Sequence, residues 1–136
     1  MDVKSAYDNI KRPQLYEKIR KYGVLTEPEC QLIKFLHKKI HIKKGDKEVR
    51  IEKGVIQGMI TSPGLFNIYM IPLANKLEVE GHKAIIYADD MLVIAKGRKE
   101  MKKIIKIVEE EMRSMGFEIN KDKTKLMRIS RRSSNK

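Results

Sequence analysis

Apolar residues recur at helical spacing in the first third of the chain and predict two helices there. Pro13 can open the first helix, in which Leu15, Ile19 and Tyr22 share one face, and Gly23 ends it. A capping box, Thr26-Glu27-Pro28-Glu29, begins the second helix. Its predicted buried stripe comprises Ile33, Phe35, Leu36 and Ile40.

The middle of the chain predicts two hairpins around an apolar helix. Residues 40–51 alternate about Lys44-Gly45-Asp46-Lys47, which predicts a hairpin with an exposed basic tip. Ser62 as N-cap and Pro63 at the first helical position open a buried helix over residues 64–80, kinked at Pro72. Apolar runs at residues 84–86 and 91–95 then predict two buried strands joined by a tight turn.

The pattern of the last third predicts one helix and two short strands. An amphipathic helix over residues 99–115 is closed by Gly116, and its buried positions are Ile104, Ile105, Val108 and Met112. Residues 117–119 and 125–129 predict strands. Residues 131–136 contain no apolar side chain, so we expect a disordered basic tail after a single domain at residues 1–130.

The net charge of the chain indicates a class of binding partner. Lys and Arg number 30 against 18 Asp and Glu, which gives a net charge of +12 and favours a polyanion, with nucleic acid fitting best. The single cysteine, Cys30, excludes an internal disulfide and is compatible with a reducing compartment. No apolar stretch reaches the roughly 18 residues that a membrane span needs. The sequence therefore predicts a soluble intracellular protein without a membrane partner.

Two adjacent carboxylates, Asp89 and Asp90, stand at the predicted turn between the apolar strands. They repel each other unless a cation lies between them, and such a hairpin suits one half of a two-metal phosphoryl-transfer site. An Asx turn is the alternative. Asp2 occupies a strand end, whereas Asp8 is expected to cap the first helix.

Four motifs, in sequence order, resemble the palm motifs of reverse transcriptases, and those of group II introns and non-LTR retrotransposons are most similar. They are Asp2-x-x-x-Ala6-Tyr7-Asp8, Gly54-x-x-Gln57-Gly58-x-x-x-Ser62-Pro63-x-Leu65-Phe66-Asn67, Tyr87-Ala88-Asp89-Asp90 and Gly116-Phe117-x-Ile119-x-x-x-Lys123-Thr124. The resemblance implies an α+β palm, a small antiparallel sheet covered on one face by helices. It also implies an RNA-directed DNA polymerase acting on an RNA template, a DNA primer and dNTPs.

The resemblance assigns a role to each matching residue. Two Mg²⁺ ions, which Mn²⁺ can replace, would be held by Asp2, Val3, Asp89 and Asp90. Tyr7 would act as a steric gate against the ribose 2′-hydroxyl, and Gln57 and Gly58 would line the nucleotide. Lys123 would protonate or neutralise the leaving pyrophosphate, although a solvated surface lysine is its alternative.

Other interpretations remain open at this stage. Asp2 follows only Met1, and the chain stops soon after Lys123, so we expect a palm fragment, an excised or degraded reading frame, or one piece of a split enzyme whose fingers and thumb another chain would supply. A non-catalytic reverse-transcriptase-like scaffold that binds RNA is the competing function, and the presence of all three carboxylates disfavours it. Tyr7 and Ala88 disfavour an RNA-dependent RNA polymerase palm.

Overall fold

Four helices and two antiparallel hairpins make up the part of the chain that the computed structural model describes, which is residue 1 and residues 3–129. The predicted basic tail at residues 131–136 lies outside the described residues. A 3-10 helix, Tyr7–Asn9, is followed by α1 (Arg12–Tyr22), α2 (Glu27–Lys38), β1 (His41–Lys44), β2 (Lys47–Arg50), α3 (Ser62–Val79), β3 (Lys83–Tyr87), β4 (Asp90–Ile94) and α4 (Arg98–Ser114). The α+β class is therefore confirmed.

Helix α3 forms the centre of the core, and it packs against α1, α4 and β3. Its sequence is apolar on all sides, as expected of a helix with neighbours around it. It continues through Pro72. Most of the fully buried side chains come from α1, α3 and α4: Leu15, Ile19, Phe66, Tyr69, Leu73, Leu77, Ile104, Val108 and Met112. Among the described residues, no helix is both long and apolar enough to cross a membrane.

Strands β3 and β4 form the predicted hairpin, with Tyr87 opposite Asp90 at its tip. Ala84, Ile86, Met91 and Val93 face the core. The prediction of buried strands was wrong for the opposite face, because Ile85, Tyr87, Leu92 and Ile94 are 54–79% exposed. The helices cover one side of this sheet only, and side chains alternate between the two sides.

The start of the chain is hydrogen-bonded to β4 and to the segment after α4. The nitrogen and the carbonyl of Met1 both hydrogen-bond to Met91, and Val3 forms an antiparallel bridge with Ile119. A strand at residues 117–119 is thus reduced to this bridge. The strand predicted at residues 125–129 was wrong, since these residues have no strand partner among those described, and Leu126, Met127 and Ile129 are exposed.

Several helical positions differ from the prediction in their burial or in their role as a helix cap, because tertiary contacts decide both. In α2 the buried residues are Cys30, Ile33 and His37, whereas Phe35 is 55% exposed. In α4, Ile107 is buried and Ile105 is only half-buried. Asp8 does not cap α1, whose N-cap is Lys11, and Thr61 replaces Ser62 as the N-cap of α3.

Candidate active site

The turn at the tip of the β3–β4 hairpin contains only Ala88 and Asp89, so both carboxylates stand at or beside the tip. Ala88 has a left-handed backbone conformation, with φ of 50°. This conformation costs an alanine about 1–2 kcal/mol, and such residues cluster at functional sites. Ser5, which has φ of 44°, is the other described non-glycine residue of this kind, and it precedes Tyr7 by two positions. Backbone strain therefore occurs close to two of the predicted site residues.

Tyr7 lies at the edge of the core and is half-buried. Its ring centroid is 5.2 Å from that of the fully buried Phe66, which in turn stacks on Phe117 at 5.7 Å. Burial, and secondarily the nearby Asp89 charge, raises the pKa of the Tyr7 hydroxyl. The aromatic contacts hold the Tyr7 ring against the core, and its hydroxyl group lies near Asp89.

The loop containing residues 54–58 packs directly onto the backbone around Tyr7. The Gly54 and Val55 amides donate to the carbonyls of Ile10 and Tyr7 at 2.8 and 2.9 Å. A Cβ at Gly54 would come within 2.8 Å of the backbone of Tyr7 and Asp8, and its φ is 80°. Only glycine fits this approach, which brings the Gln57-Gly58 end of the loop next to Tyr7.

The hydroxyl of Ser62 provides a second anchor for this loop, since it donates to the Ile56 carbonyl. Ser62 is 1% exposed and is the first residue of α3. Its side chain therefore fixes the loop instead of capping the helix. This contact explains why a serine occupies a fully buried position at the start of an apolar helix.

These elements enclose an open cavity of about 380 Å³. It is lined by Tyr7, Gln57, Gly58, Met59, Pro63 and Asp89. Four of these six residues were predicted to act at one site, and they come from three separate segments of the chain. The fold brings them together. Met59 was not predicted, because nothing in its local sequence marks it as a lining residue.

The remaining predicted residues lie elsewhere or outside the described part. Asp90 is exposed beside the cavity, and Val3 is buried in its bridge with Ile119. Lys123 lies in an exposed turn and does not line the cavity. Asp2 lies outside the described residues. Within residue 1 and residues 3–129, no group of three or more His, Cys, Asp and Glu side chains could hold a metal ion.

Arg12 supports the site and was missed by the sequence analysis. Arg12 is 7% exposed, and its guanidinium donates to three carbonyls, those of Gly54 at 2.8 Å, His37 at 2.9 Å and Ile51 at 2.7 Å. Burial lowers the pKa of this group. The three bonds join α1 to the end of α2, the base of the β1–β2 hairpin and the cavity loop. As one of 30 basic residues it carried no signal in the sequence.

Comparison with known proteins gives this geometry its context. The family model described as reverse transcriptase (RNA-dependent DNA polymerase) matches residues 1–134. The chain belongs to the reverse transcriptase family. The resemblance found in the four motifs is thereby confirmed over nearly the whole length of the chain.

One curated relative is the polyprotein of a retrotransposable element. The retrovirus-related Pol polyprotein from type-1 retrotransposable element R1 of Nasonia vitripennis is 34% identical over 77 residues. The aligned segment covers 52% of this chain and 23% of that polyprotein. The matched part of the chain therefore spans less than a quarter of the length of this relative.

Proposed function

We propose that the cavity at the β3–β4 tip is the nucleotidyl-transfer site of an RNA-directed DNA polymerase. The observation that carries this proposal is the convergence of Tyr7, Gln57, Gly58 and Asp89 on one cavity in a member of the reverse transcriptase family. An RNA template, a DNA primer and dNTPs are the corresponding substrates. Other chains of an assembly would supply fingers and thumb if this chain acts as a split palm.

Two divalent cations, Mg²⁺ or Mn²⁺, fit the donors that this chain offers. Carboxylate oxygens are the hard ligands that these ions prefer. None of the ion pairs between described residues uses Asp89 or Asp90, so both carboxylates are available to a cation. When bound, the ions would polarise the reacting phosphate and stabilise the attacking and leaving oxygens. Asp89 and Asp90 would hold them together with Asp2 and Val3.

The backbone pairing of Met1 with Met91 supports a role for Asp2. Met1 immediately precedes Asp2, and Met91 immediately follows Asp90, so the neighbours of these two acids in the sequence are hydrogen-bonded to each other. We expect the Asp2 carboxylate within about 8 Å of Asp89, the range in which ions 3.5–4 Å apart can share both ligands. A greater separation in an experimental structure would exclude a common site.

Positioning is the main task of the other residues, because phosphoryl transfer depends on alignment and charge stabilisation. The Tyr7 ring would contact the sugar of the incoming nucleotide and reject a 2′-hydroxyl. Gln57 offers an amide donor and acceptor, and Gly58 lets the backbone approach the nucleotide closely. Lys123 would approach the leaving pyrophosphate only if its exposed turn moves toward the cavity, so its role is the least supported.

The experiment compares Mn²⁺ binding by the wild-type chain, Asp89→Asn and Asp46→Asn. Paramagnetic broadening of amide signals should centre on residues 87–91 in the wild type and in Asp46→Asn, a control at the exposed β1–β2 tip. It should weaken at least tenfold in Asp89→Asn. Equal broadening in Asp89→Asn would refute the metal site. Primer extension by the assembled enzyme should likewise be lost in Asp89→Asn alone, and retained extension would refute the polymerase assignment.

A further inference from the structure

The β1–β2 hairpin and the end of α2 form a strongly basic surface. We name as the basic hairpin surface the exposed residues Lys38, Lys39, Lys43, Lys47 and Arg50. Between residues 38 and 53 the sequence has seven Lys or Arg and three Asp or Glu. All four residues of β2 are exposed, so the hairpin projects from the core. Packing against the core therefore does not account for the position of this hairpin.

The charges of this surface are not balanced within the fold. None of its five residues belongs to an ion pair between described residues. On α4, by contrast, Lys103 pairs with Glu80 at 2.7 Å and Lys106 with Glu110 at 3.8 Å. The five basic side chains of the hairpin surface are thus left without an ion-pair partner among the described residues. A positive field of this kind attracts a polyanion.

An exposed aromatic ring accompanies these charges. Phe35 is 55% exposed on α2, and the Lys39 ammonium lies 5.5 Å from its ring centroid. Basic side chains beside an exposed aromatic ring are the combination that binds single-stranded nucleic acid, by phosphate contacts and base stacking. An acidic lipid surface would use the charges but not a stacking face. The composition of the surface therefore favours a nucleic-acid strand.

The base of the hairpin is tied to the loop of the candidate active site. The Ile51 amide donates to the Ile40 carbonyl at 3.3 Å and closes the hairpin. Arg12 then bridges the Ile51 and Gly54 carbonyls. A strand bound on the hairpin would consequently be held in a fixed relation to the Gly54 loop, which continues to Gln57 and Gly58 in the cavity.

We propose that the basic hairpin surface binds the sugar-phosphate backbone of a nucleic-acid strand that enters the candidate active site. The identity of that strand as template or primer rests on the proposed function, but backbone binding itself does not. Phosphate contacts release counterions, so binding should be salt-sensitive and weakly dependent on sequence.

The test compares two triple variants of the full chain with the same loss of charge. The hairpin variant is Lys43→Gln, Lys47→Gln and Arg50→Gln. The control variant, Lys99→Gln, Lys102→Gln and Arg113→Gln, changes three exposed residues of α4. Affinities for single-stranded RNA, single-stranded DNA and an RNA–DNA duplex are measured against salt in EDTA, so that no polymerase chemistry or metal binding contributes. Thermal melts confirm that both variants are folded.

Each phosphate contact on a single strand contributes about 0.7 to the slope of log affinity against log salt. Loss of three contacts should therefore lower the slope by about 2 and weaken binding about a hundredfold at 0.1 M salt, whereas the control should change only a few-fold. Glu48→Lys, which adds a charge beside Lys43, should strengthen binding. Whichever of single-stranded RNA, single-stranded DNA and the RNA–DNA duplex is bound with the highest affinity identifies the strand.

Several outcomes would overturn the proposal. Equal losses in the two triple variants would mean that only net charge attracts the nucleic acid. An unchanged affinity of Glu48→Lys would remove the hairpin from the interface. Loss of binding to phosphatidylserine vesicles in the hairpin variant, with RNA binding retained, would assign this surface to a membrane. The Mn²⁺ test of the active site is unaffected by these results, so the two proposals fail separately.

Discussion

Replacing Arg12 with alanine should destabilise the domain by about 3 kcal/mol or more. The side chain makes three hydrogen bonds to carbonyls, and those to Gly54 and His37 are fully buried. A buried acceptor that loses its partner costs about 1–3 kcal/mol, and bonds from charged donors are the stronger ones. Water can reach the half-buried Ile51 carbonyl, so two acceptors dominate the loss. Single domains have only about 5–15 kcal/mol of stability, so the effect is large.

Urea unfolding followed by far-ultraviolet circular dichroism measures this loss as a lower midpoint at constant slope. Arg12→Lys should fall between the wild type and Arg12→Ala, because an ammonium lacks the planar fork that reaches carbonyls on two sides. In that folded variant the Val55 amide, bonded to the Tyr7 carbonyl, should exchange its hydrogen faster as the cavity loop loosens.

Arg20→Ala is the matched control on the same helix. Arg20 is exposed, and its one ion pair among the described residues is with the exposed Glu27, so its removal should leave the midpoint almost unchanged. The reasoning fails if Arg12→Ala loses no more stability than Arg20→Ala. It also fails if Arg12→Lys is as stable as the wild type, because a point charge would then suffice.

Three further predictions concern pH, the cavity loop and the sugar. Burial, with a smaller effect of the Arg12 charge, lowers the pKa of His37 from 6.5 to about 4. Its neutral form is therefore favoured in the fold, and stability that is complete above pH 6.5 should fall by about 2 kcal/mol on going from pH 7 to pH 5. Equally steep pH dependence in His37→Gln would contradict this. Gly54→Ala should destabilise the fold, because the added Cβ would lie 2.8 Å from backbone atoms. Gly64→Ala, at a position of α3 where an added Cβ meets no neighbour, should stabilise the fold by about 0.5–1 kcal/mol. Thermal melts in which both variants shift in the same direction would contradict the packing argument. In the assembled enzyme, Tyr7→Ala should raise the ratio of kcat/KM for rNTPs to kcat/KM for dNTPs. Tyr7→Phe keeps the ring and should leave this ratio unchanged. An unaltered ratio in Tyr7→Ala would mean that the ring serves packing only.

The sequence was most informative where a residue's role depends on its neighbours along the chain. Helical spacing, capping boxes and turn residues act over a few positions, so the helices and both hairpins were predicted close to their observed bounds. The Asp89 turn and the Gly54 loop were recognised for the same reason, since their motifs are contiguous. The order of four such motifs was sufficient to indicate the reverse transcriptase family.

Long-range packing decided the features that the sequence did not reveal. The positions of the helices decide which side of the β3–β4 hairpin is buried. Both faces of this hairpin are apolar, so the sequence pattern cannot specify the buried one. Residues 125–129 have the composition of a strand, but a strand requires a backbone partner, and none is present among the described residues. Arg12 has its role only through carbonyls that the fold brings to it from distant segments, and Ser62 through the conformation of the loop that precedes it. The cavity is likewise a property of the tertiary structure, because its lining residues are separated by up to 82 positions in the chain.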